Sequence, residues 1–486
     1  MDTKKLRQKV LDLAIHGKLV KQDPNDEPAS ILLDRIRAEK ARLVKEGKIK
    51  KSDLIEKPIS EDEIPFEVPE GWEWLKVESF TYDLLYGTST KSSSVGLVPV
   101  LRMGNITRIG TVDFSDLVYS SNKDDIEKYE LKYNDLLFNR TNSSDWVGKT
   151  AIFKSNNPAI YAGYLIRVRC IDVLPDFINL AMNSSYHRNW CFQVKTDAVN
   201  QSNINAQKLS KHLIPIPPLA EQHRIVKAVD ELFEQIDIIE RSEKELEEAA
   251  NKTRDKLLNL AIQGHLVPQD PNEEPASVLL ERIRAEKARL VKEGKLKKKD
   301  LEEKPIYPDE IPFDLPEGWV WVRIGHVYQT SSGGTPEKVH PEYYNGNIFW
   351  AKVGDLTNKY INSTEDKITE EGINNSSAKV FPKDTILVAM YCNDAIGKSS
   401  ILSVPMATNQ AICGLFPNSF LFTDYIYYAI QRNKSILQAS AAGGAQQNIN
   451  QKIVNELIIP LPPLSEQRRI VTKLEELLQE IDKLKA

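Results

Sequence analysis

Cysteine is scarce in this chain of 486 residues, and its distribution excludes two kinds of site. No two cysteines form a CxxC pair, so neither a structural zinc site nor a disulfide framework is expected. Unpaired thiols suit a reducing compartment, and we expect a cytoplasmic location. The four cysteines are Cys170, Cys191, Cys392 and Cys413.

Long hydrophobic runs are also missing. No stretch approaches the roughly 18 consecutive apolar residues that indicate a membrane span, and the N-terminus begins a charged amphipathic helix instead of a signal sequence. The composition, 41% hydrophobic and 27% charged, is that of a soluble globular protein with unusually charged helices. The length predicts two to four domains, and no contact with a membrane is expected.

The chain carries no basic excess, because its formal net charge is −5. Nucleic-acid-binding proteins often carry such an excess, so this balance argues mildly against DNA binding. Residues 78–210 contain 14 Lys and Arg against 13 Asp and Glu, and residues 325–455 contain 10 of each. Any affinity of these two segments for DNA must therefore come from a local cationic face.

Known catalytic motifs are absent as well. Two short runs, Gly148-Lys149-Thr150 and Gly397-Lys398-Ser399, resemble the end of a phosphate-binding loop. The first glycine of that motif is replaced by Ser143 and Cys392, so nucleotide binding is not expected. The sequence also lacks GxGxxG, HExxH and the Asn-Pro-Pro-aromatic tetrapeptide of amino-methyltransferases. We predict neither a catalytic residue nor a metal site on this chain.

What the chain does have is an internal repeat. Residues 13–72 return almost unchanged as residues 260–319, an offset of 247. A second block, residues 201–205 and 215–219, returns at an offset of 245 as residues 446–450 and 460–464. The segments between these blocks share only a skeleton, in which short runs such as Asp135–Phe138 and Thr385–Val388 predict buried strands. The chain therefore has two halves of equal plan with two diverged segments.

A long amphipathic helix is predicted from Pro215 to Gly264. Its apolar residues follow steps of four and three, the spacing of a coiled-coil stripe, and the C-terminal helix repeats the pattern. A helix of this length would extend on the order of 60 Å and act as a spacer. The stripe and partner-binding residues of the two helices are Leu219, Ile225, Val229, Leu232, Ile236, Leu464, Ile470, Leu474, Leu477 and Ile481.

The repeat is circularly permuted, because the counterpart of residues 242–264 is missing after the C-terminal helix and is found at the N-terminus. We expect the two chain ends to build a second copy of the central helix and the two long helices to pair antiparallel about a pseudo-twofold axis. The predicted fold is mixed α/β, with two globular domains separated by long antiparallel coiled-coil helices. A further helix should follow each spacer half, from about Pro28 to Lys45 and from Pro275 to Lys292.

Five segments follow from this plan. Head 1 is residues 78–210 and head 2 is residues 325–455. The remainder, which we call the frame, comprises an N-terminal helical region and linker (1–77), a central region with the long helix, a second helix and a linker (211–324), and a C-terminal helix that pairs with the central helix (456–486).

The heads are rich in side chains that can contact DNA. Arg and Lys can bind guanine edges, Asn and Gln can pair with adenine, and hydroxyl groups can bind phosphates. For each such residue a structural role in the core or on the surface is the alternative. The candidates are Arg102, Asn105, Arg140, Asn142, Lys149, Tyr161, Ser332, Thr335, Lys352, Tyr391, Asn393, Lys398, Asn409 and Gln410.

Several motifs give the chain a family likeness. The runs Pro217–Gln222 and Pro462–Gln467 before heptad helices, the Pro-Glu-Gly-Trp at the start of each head, and Ser332–Pro336 resemble the specificity subunit of type I restriction-modification systems. Head 1 has Tyr86-Gly87-Thr88 near the place of the last motif, which is a departure from the pattern.

The resemblance implies that two target-recognition domains each read one half of a split double-stranded DNA site. It also implies two methyltransferase subunits that modify adenine with S-adenosylmethionine, and two restriction or motor subunits, so that S-adenosylmethionine, ATP and Mg²⁺ would be bound by partners. Chemistry would then belong to the partners. The diverged heads predict an asymmetric target with unlike halves.

Two other functions remain open from the residues alone. The chain could be a specificity-like enzyme with its own nuclease or methyltransferase activity, although the missing motifs weigh against this. It could also be an assembly scaffold whose heads bind protein, and the near-neutral charge of the heads favours that alternative. Salt-dependent, sequence-selective DNA binding would distinguish a specificity subunit from a scaffold.

The circular permutation of the repeat can be tested directly. Joining the two chain ends and opening the chain at another loop should preserve folding, because the composite helix would become continuous. Circular dichroism and thermal unfolding of the permutant should match those of the natural chain. A permutant that no longer folds would contradict the predicted closeness of the termini.

Overall fold

The chain is described from a computed structural model that covers residues 2–55, 58–199, 201–441 and 448–484, with residue 393 described by its backbone only. It divides into two units, Met1–Glu243 and Lys244–Ala486, and each unit contains one head with frame segments from both sides of it. Among the described helices, none is both long and apolar enough to cross a membrane.

The first unit combines six helices, the first part of a seventh, and twelve strands. Its helices are α1 (Thr3–Ile15), α2 (Ala29–Lys45), α3 (Lys123–Tyr129), α4 (Pro175–Ala181), α5 (Ser185–Val194), α6 (Ala206–Ser210) and α7 (Leu219–Ile262), which continues into the second unit. Its strands are β1 (Glu73–Lys76), β2 (Thr81–Tyr86), β3 (Val98–Leu101), β4 (Val118–Ser120), β5 (Leu136–Asn139), β6 (Thr141–Asn142), β7 (Thr150–Ile152), β8 (Ile160–Tyr161), β9 (Leu165–Cys170), β10 (Thr196–Ala198), β11 (Gln201–Asn203) and β12 (Leu213–Ile216).

The second unit repeats much of this order. Its helices after α7 are α8 (Ala276–Lys292), α9 (Ile324–Val327), α10 (Glu370–Asn374), α11 (Thr423–Arg432), α12 (Lys434–Ala441), α13 (Gln451–Glu456) and α14 (Leu464–Lys483). Its strands are β13 (Val320–Arg323), β14 (Thr330–Ser332), β15 (Tyr344–Ala351), β16 (Tyr360–Ile361), β17 (Lys367–Ile368), β18 (Val380–Phe381), β19 (Ile386–Ala389), β20 (Ser399–Leu402), β21 (Met406–Thr408), β22 (Ile412–Leu415) and β23 (Ile458–Leu461).

The two heads share one topology. In head 1 the strand order is β2-β9-β5-β7, and in head 2 it is β14-β22-β19-β20-β16, with antiparallel pairing between corresponding strands. A second sheet in each head contains one parallel pair, β3 with β8 and β15 with β21. The predicted buried strands are confirmed as β5 and β19, in which every residue is buried. Two diverged sequences thus form one fold.

A two-stranded sheet closes each head at its base. Strand β1, which follows Pro-Glu-Gly-Trp, pairs antiparallel with β12, and β13 pairs in the same way with β23. Pro215 lies opposite Trp74 and Pro460 lies opposite Trp321, and a proline is tolerated there because each sheet has only edge strands. The chain therefore enters and leaves each head at neighbouring strands.

The long predicted helix is confirmed as α7, and the shorter predicted pair is confirmed as α2 and α8. Within the first unit, the Arg7 guanidinium lies 2.5 Å from the Asp237 carboxylate, and the Arg224 guanidinium lies 2.6 Å from Asp26. The N-terminal segment from Arg7 to Asp26 therefore follows α7 from Asp237 back toward Arg224. In the second unit an ion pair joins Arg254 to Asp482 of α14.

The stripe of α7 differs from its predicted form at one position. Ile225, Val229 and Ile236 are buried, but Leu232 is 39% exposed, and the neighbouring Phe233 packs against the core in its place. A straight helix turns by 3.6 residues, so a stripe drawn at 3.5 drifts onto the adjacent position. On α14 the predicted Ile470, Leu474 and Ile481 are buried, while Leu477, Leu464 and Leu219 of α7 are half-buried.

In each unit a buried carboxylate accepts hydrogen bonds that join separate segments of the frame. Glu221, at the start of α7 and 1% exposed, accepts hydrogen bonds from Trp72 Nε1 at 3.0 Å and from Gln22 Nε2 at 3.0 Å. Burial raises the pKa of Glu221, and these two donors oppose that shift. The bonds connect the long helix, the head entrance and the segment after α1, which lie far apart in sequence.

The second unit contains the same arrangement. Glu466, also 1% exposed, accepts hydrogen bonds from Trp319 Nε1 at 2.9 Å and from Gln269 Nε2 at 3.2 Å. The following glutamine also has one role in both units, because Gln222 and Gln467 accept from backbone amides of the heads, Leu174 and Phe422. The Pro-Pro-Leu-x-Glu-Gln signature thus joins each head to its helix.

We predict that the buried glutamates stabilise both units. Glu221→Ala and Glu466→Ala should each lower the free energy of unfolding by about 1 to 3 kcal/mol, because a buried indole N–H loses its acceptor. Glu→Gln at either position should cost less, since the amide oxygen can still accept. Urea denaturation followed by tryptophan fluorescence measures the change, with Glu234→Ala on the exposed face of α7 as the control. Equal losses in all three alanine variants would contradict this role.

Candidate nucleic-acid interface

A glycine loop follows the first sheet strand of each head. In head 1 a Cβ atom on Gly87 would lie 2.2 Å from the Tyr161 carbonyl oxygen, and in head 2 a Cβ on Gly333 would lie 2.1 Å from Thr408 Oγ1. Only glycine allows the chain to approach the neighbouring strand this closely. The two loops therefore occupy equivalent positions although their sequences differ. Tyr86-Gly87-Thr88 of head 1 thus takes the structural place of the Ser332–Pro336 motif of head 2.

Head 2 gathers four of its candidate residues around this loop. The Thr335 hydroxyl donates to the Gln410 side-chain oxygen, and a Cβ on Gly333 would meet the Asn409 carbonyl oxygen at 2.5 Å. Ser332 ends β14 immediately before the loop and is half-buried. Gln410 is exposed, so a polar edge formed by these side chains faces solvent.

Lys352 lies close to the same loop. Its ammonium is 5.2 Å from the centroid of the Trp350 ring and 2.5 Å from the Asp366 carboxylate, and Trp350 Nε1 donates to the Gly334 carbonyl oxygen at 3.1 Å. The charge of Lys352 is therefore partly neutralised within the head.

The remaining candidates of head 2 belong to the connection between β19 and β20. Tyr391 is half-buried against the core, and Lys398 is exposed. The side chain of Asn393 lies outside the described residues. These residues are not brought to the glycine loop by any contact among the described side chains.

In head 1 the glycine loop lies against the Tyr161 backbone, and the candidate side chain beside it is that of Arg140. Its guanidinium carbon is 4.6 Å from the centroid of the Tyr86 ring, and one of its N–H groups donates to the Gly163 carbonyl oxygen at 3.3 Å. Its Nε is buried and has no acceptor among the described residues. Asn142 lies nearby on β6 and accepts from the Ser143 backbone amide at 2.8 Å. Tyr86, which is 37% exposed, is not among the candidates named from the sequence.

The side chains of three candidates of head 1 form hydrogen bonds or an ion pair within the protein. Asn105 is 3% exposed, donates to the carbonyl oxygens of Asp113 and Asp116 and accepts from the Arg102 backbone amide. Tyr161 is fully buried, its hydroxyl donates to Leu85, and burial raises its pKa. Arg102 forms a 3.0 Å ion pair with the exposed Asp116. The structure gives Asn105 and Tyr161 roles in holding the head together.

Lys149 belongs to a cationic cluster that the sequence did not indicate. Its ammonium lies 4.4 Å from the centroid of the Trp146 ring, and the Arg108 guanidinium carbon lies 3.6 Å from the centroid of that ring. Burial and the nearby Arg108 charge lower the pKa of Lys149 to about 8. Arg108 is about 40 residues away in sequence, so no local pattern could have predicted the contact.

A buried histidine pair lies behind this cluster. His187 Nδ1 is 3.0 Å from His212 Nε2, and His187 Nε2 is 2.9 Å from the Gly148 carbonyl oxygen. Burial lowers the pKa of His187 to about 4 and that of His212 well below its usual value, so both rings are neutral at physiological pH. Within the described part of the chain no three potential ligands are grouped to hold a metal ion.

Comparison with known proteins agrees with this architecture. A family model described as the type I restriction modification DNA specificity domain matches residues 86–248 and 316–486. The EcoEI and EcoAI type I restriction enzyme specificity subunits of Escherichia coli are 30% and 31% identical to this chain, each over 99% of it and 90% of the relative.

Solved structures show the same fold. One is a chain from a structure that addresses complex assembly and conformational transition of the type I R-M system. It aligns with a TM-score of 0.60 at 18% identity, covering 87% of this chain and 93% of that chain. The HsdS subunit from Thermoanaerobacter tengcongensis aligns with a TM-score of 0.51 at 20% identity, covering 87% and 92%. From the family match in both halves and the full-length relatives, this chain belongs to the type I restriction-modification DNA specificity family.

Proposed function

We propose that this chain is the non-catalytic subunit that gives a type I restriction-modification complex its DNA sequence specificity. The observation that carries the proposal is the pair of heads, which share one topology on repeated frame elements while their exposed polar residues differ. A duplicated frame with diverged heads is what a reader of two unlike half-sites requires. A protein-binding scaffold would not need two different polar surfaces at equivalent positions of one fold.

The two heads present different chemistry at equivalent places. The Ile204 amide donates to the Arg140 carbonyl oxygen at 2.9 Å, and the Ile449 amide donates to that of Met390 at the same distance, so Arg140 and Met390 correspond. Arginine can bind a guanine edge with two hydrogen bonds, whereas Met390 is buried in the core and offers no polar group. Gln410 of head 2 can instead pair with adenine. This difference supports an asymmetric bipartite target.

Among the candidates, we assign DNA contact to those whose side chains are not buried and fully bonded within the head, and we keep Asn393 on its chemistry alone. We leave out Asn105 and Tyr161, because their polar atoms are buried and already bonded. The proposed contacts are made by Arg102, Arg140, Asn142, Lys149, Ser332, Thr335, Lys352, Tyr391, Asn393, Lys398, Asn409 and Gln410.

The partners follow from the family. The repeated frame offers two equivalent surfaces, which suits two copies of a methyltransferase subunit together with two restriction or motor subunits. S-adenosylmethionine, ATP and Mg²⁺ would then be bound by those partners, in the cytoplasm where the host DNA lies.

The helices would set the distance between the heads. We propose that α7 and a composite of α14 and α1 form two antiparallel coiled-coil spacers about a pseudo-twofold axis. Support comes from the equivalent ion pairs, since Arg7 with Asp237 and Arg254 with Asp482 correspond at the two offsets of the repeat. The stretch from residue 241 to 249 of α7 is exposed throughout, which leaves it available for such pairing or for a partner.

The proposed function can be tested in a host that expresses the complex. Methylome sequencing with and without this chain should reveal one split adenine motif that disappears on deletion. The two halves should differ, because Arg140 and Met390 occupy equivalent positions. A variant that keeps the frame but lacks both heads should lose the methylation, which would assign recognition to the heads and assembly to the frame. Identical palindromic halves, or methylation by the purified chain alone, would contradict the proposal.

The spacer role of α7 makes a second prediction. Inserting four residues within the exposed stretch 241–249 adds one helical turn, about 6 Å, which is the height of one or two base pairs. The gap in the methylated motif should lengthen accordingly while both half-sites remain the same. Replacing four residues of the stretch with alanine at constant length is the matched control and should leave the gap unchanged. Altered half-sites would refute the spacer role.

A further inference from the structure

The cationic cluster of head 1 joins two turns of the chain on one aromatic ring. Arg108 lies in the turn after β3, and Trp146 and Lys149 lie in the connection from β6 to β7. Both cations lie within the range of a cation–π contact, at 3.6 Å and 4.4 Å from the ring centroid. The two positive groups are thus held against one side chain.

Among the described residues, Arg108 and Lys149 have no ion pair with a carboxylate, unlike other cations of the head. No acidic side chain of the described residues lies within 4 Å of the Arg108 or Lys149 nitrogens, whereas Arg167 and Arg169 each pair with aspartates. A third cation, Arg188, is close enough to interact with this cluster: burial lowers its pKa, and the charge of Arg108 lowers it further. The charge of Asp12 opposes that shift, and the Asp12 carboxylate also accepts from the Ser185 backbone amide.

Repulsion between these cations disfavours the cluster unless an anion offsets it. Burial, with a smaller contribution from the Arg108 charge, lowers the pKa of Lys149 to about 8. Packing alone does not account for the cluster, since uncharged side chains would cover Trp146 without that cost. A bound anion would stabilise the protonated lysine and the fork of the guanidinium at once.

We propose that Arg108, Trp146 and Lys149 form a binding site for a backbone phosphate of the half-site read by head 1. The guanidinium stacked on the indole offers its N–H edge to two phosphate oxygens, and the ammonium supplies a third donor. Trp146 does not contact the phosphate and acts as a positioning residue for both cations. This inference rests on the proposed function, because it takes DNA as the ligand of head 1.

The position of the site favours DNA over an acidic protein surface. The Asn139 amide donates to the Lys149 carbonyl oxygen at 2.9 Å, and Asn139 immediately precedes Arg140. The phosphate site is therefore connected through one backbone pairing to the arginine at the glycine loop. A site for the backbone beside a site for a base edge is the usual layout of a DNA-reading surface.

The described residues of head 2 do not contain a matching cluster of two cations on one aromatic ring. The Gly148 amide donates to the Asn139 carbonyl oxygen, and the Gly397 amide donates to that of Ala389, which aligns the two connections. Lys398 then matches Lys149, but Ala395 stands in the place of Trp146. Among the described residues, a ring that holds two cations is found in head 1 and not in head 2, so the phosphate site is expected on one half-site.

The test measures binding of a duplex DNA of about 40 base pairs to the purified full-length chain by fluorescence anisotropy over a range of NaCl concentrations. Arg108→Gln and Lys149→Gln should each weaken binding about three- to tenfold near 0.1 M salt. The slope of log affinity against log salt should fall by about 0.9 when one phosphate contact is lost. Trp146→Ala should weaken binding to a similar degree although it removes no charge, and Trp146→Phe should retain most of the affinity.

Lys128→Gln is the matched control, because Lys128 is an exposed cation of the same head that lies 5.1 Å over Tyr129 and beside the acids of α3. It should leave affinity and slope unchanged, and thermal unfolding of every variant checks that the chain is folded. An equal loss in Lys128→Gln would overturn the site in favour of a general charge effect.

The outcomes separate the two proposals. If the natural chain binds DNA and the Arg108→Gln/Lys149→Gln double variant binds it equally well with the same slope, the phosphate site is refuted and the proposed function stands. If the double variant keeps DNA binding but no longer associates with the methyltransferase subunit, the cluster docks an acidic protein surface and the phosphate site is refuted. If the natural chain binds no DNA, even when assembled with its methyltransferase partner, the proposed function itself fails.

Discussion

The two buried glutamates are the interactions on which the rest of the structure depends. Glu221 and Glu466 each receive the indole N–H at the entrance of a head and the amide of a glutamine that follows a spacer segment. With the paired strands β1–β12 and β13–β23, they hold both ends of a head at one place. The frame thus holds each head at its entrance and exit strands, and Gln222 and Gln467 each add one contact to a backbone amide inside the head.

The heads keep their fold through backbone geometry more than through side-chain identity. Gly87 and Gly333 are required because any Cβ would overlap the neighbouring strand, and the same sheet order surrounds both. At the adjoining equivalent positions head 1 has Arg140, whose guanidinium lies over the Tyr86 ring, and head 2 has Met390, which is buried in the core. Equivalent positions of one fold can therefore carry a cationic side chain in one head and a core side chain in the other.

Much of the frame could be predicted from the sequence, because helices α2, α7 and α8 follow local periodicity and have clear start and stop signals. The burial of Phe233 in place of Leu232 could not, since it depends on the true helical pitch. The site was less predictable. Asn105 has the chemistry of a base reader, but its amide groups hold two carbonyl oxygens of a turn. Residue type indicates what a side chain can bind, and only the fold decides what it meets.

Charge shows the same limit, and it also explains how a chain with a net charge of −5 can hold a polyanion. Some charges of the frame neutralise one another locally: Arg42 pairs with Glu39 and Glu46, and on α8 Arg289 pairs with Glu286 and Glu293. Such exposed pairs contribute little field beyond a Debye length. Arg108 and Lys149 have no such partner among the described residues, so their field is not cancelled at the surface. The proposed affinity for phosphate therefore depends on these local unpaired cations more than on the total charge of the chain.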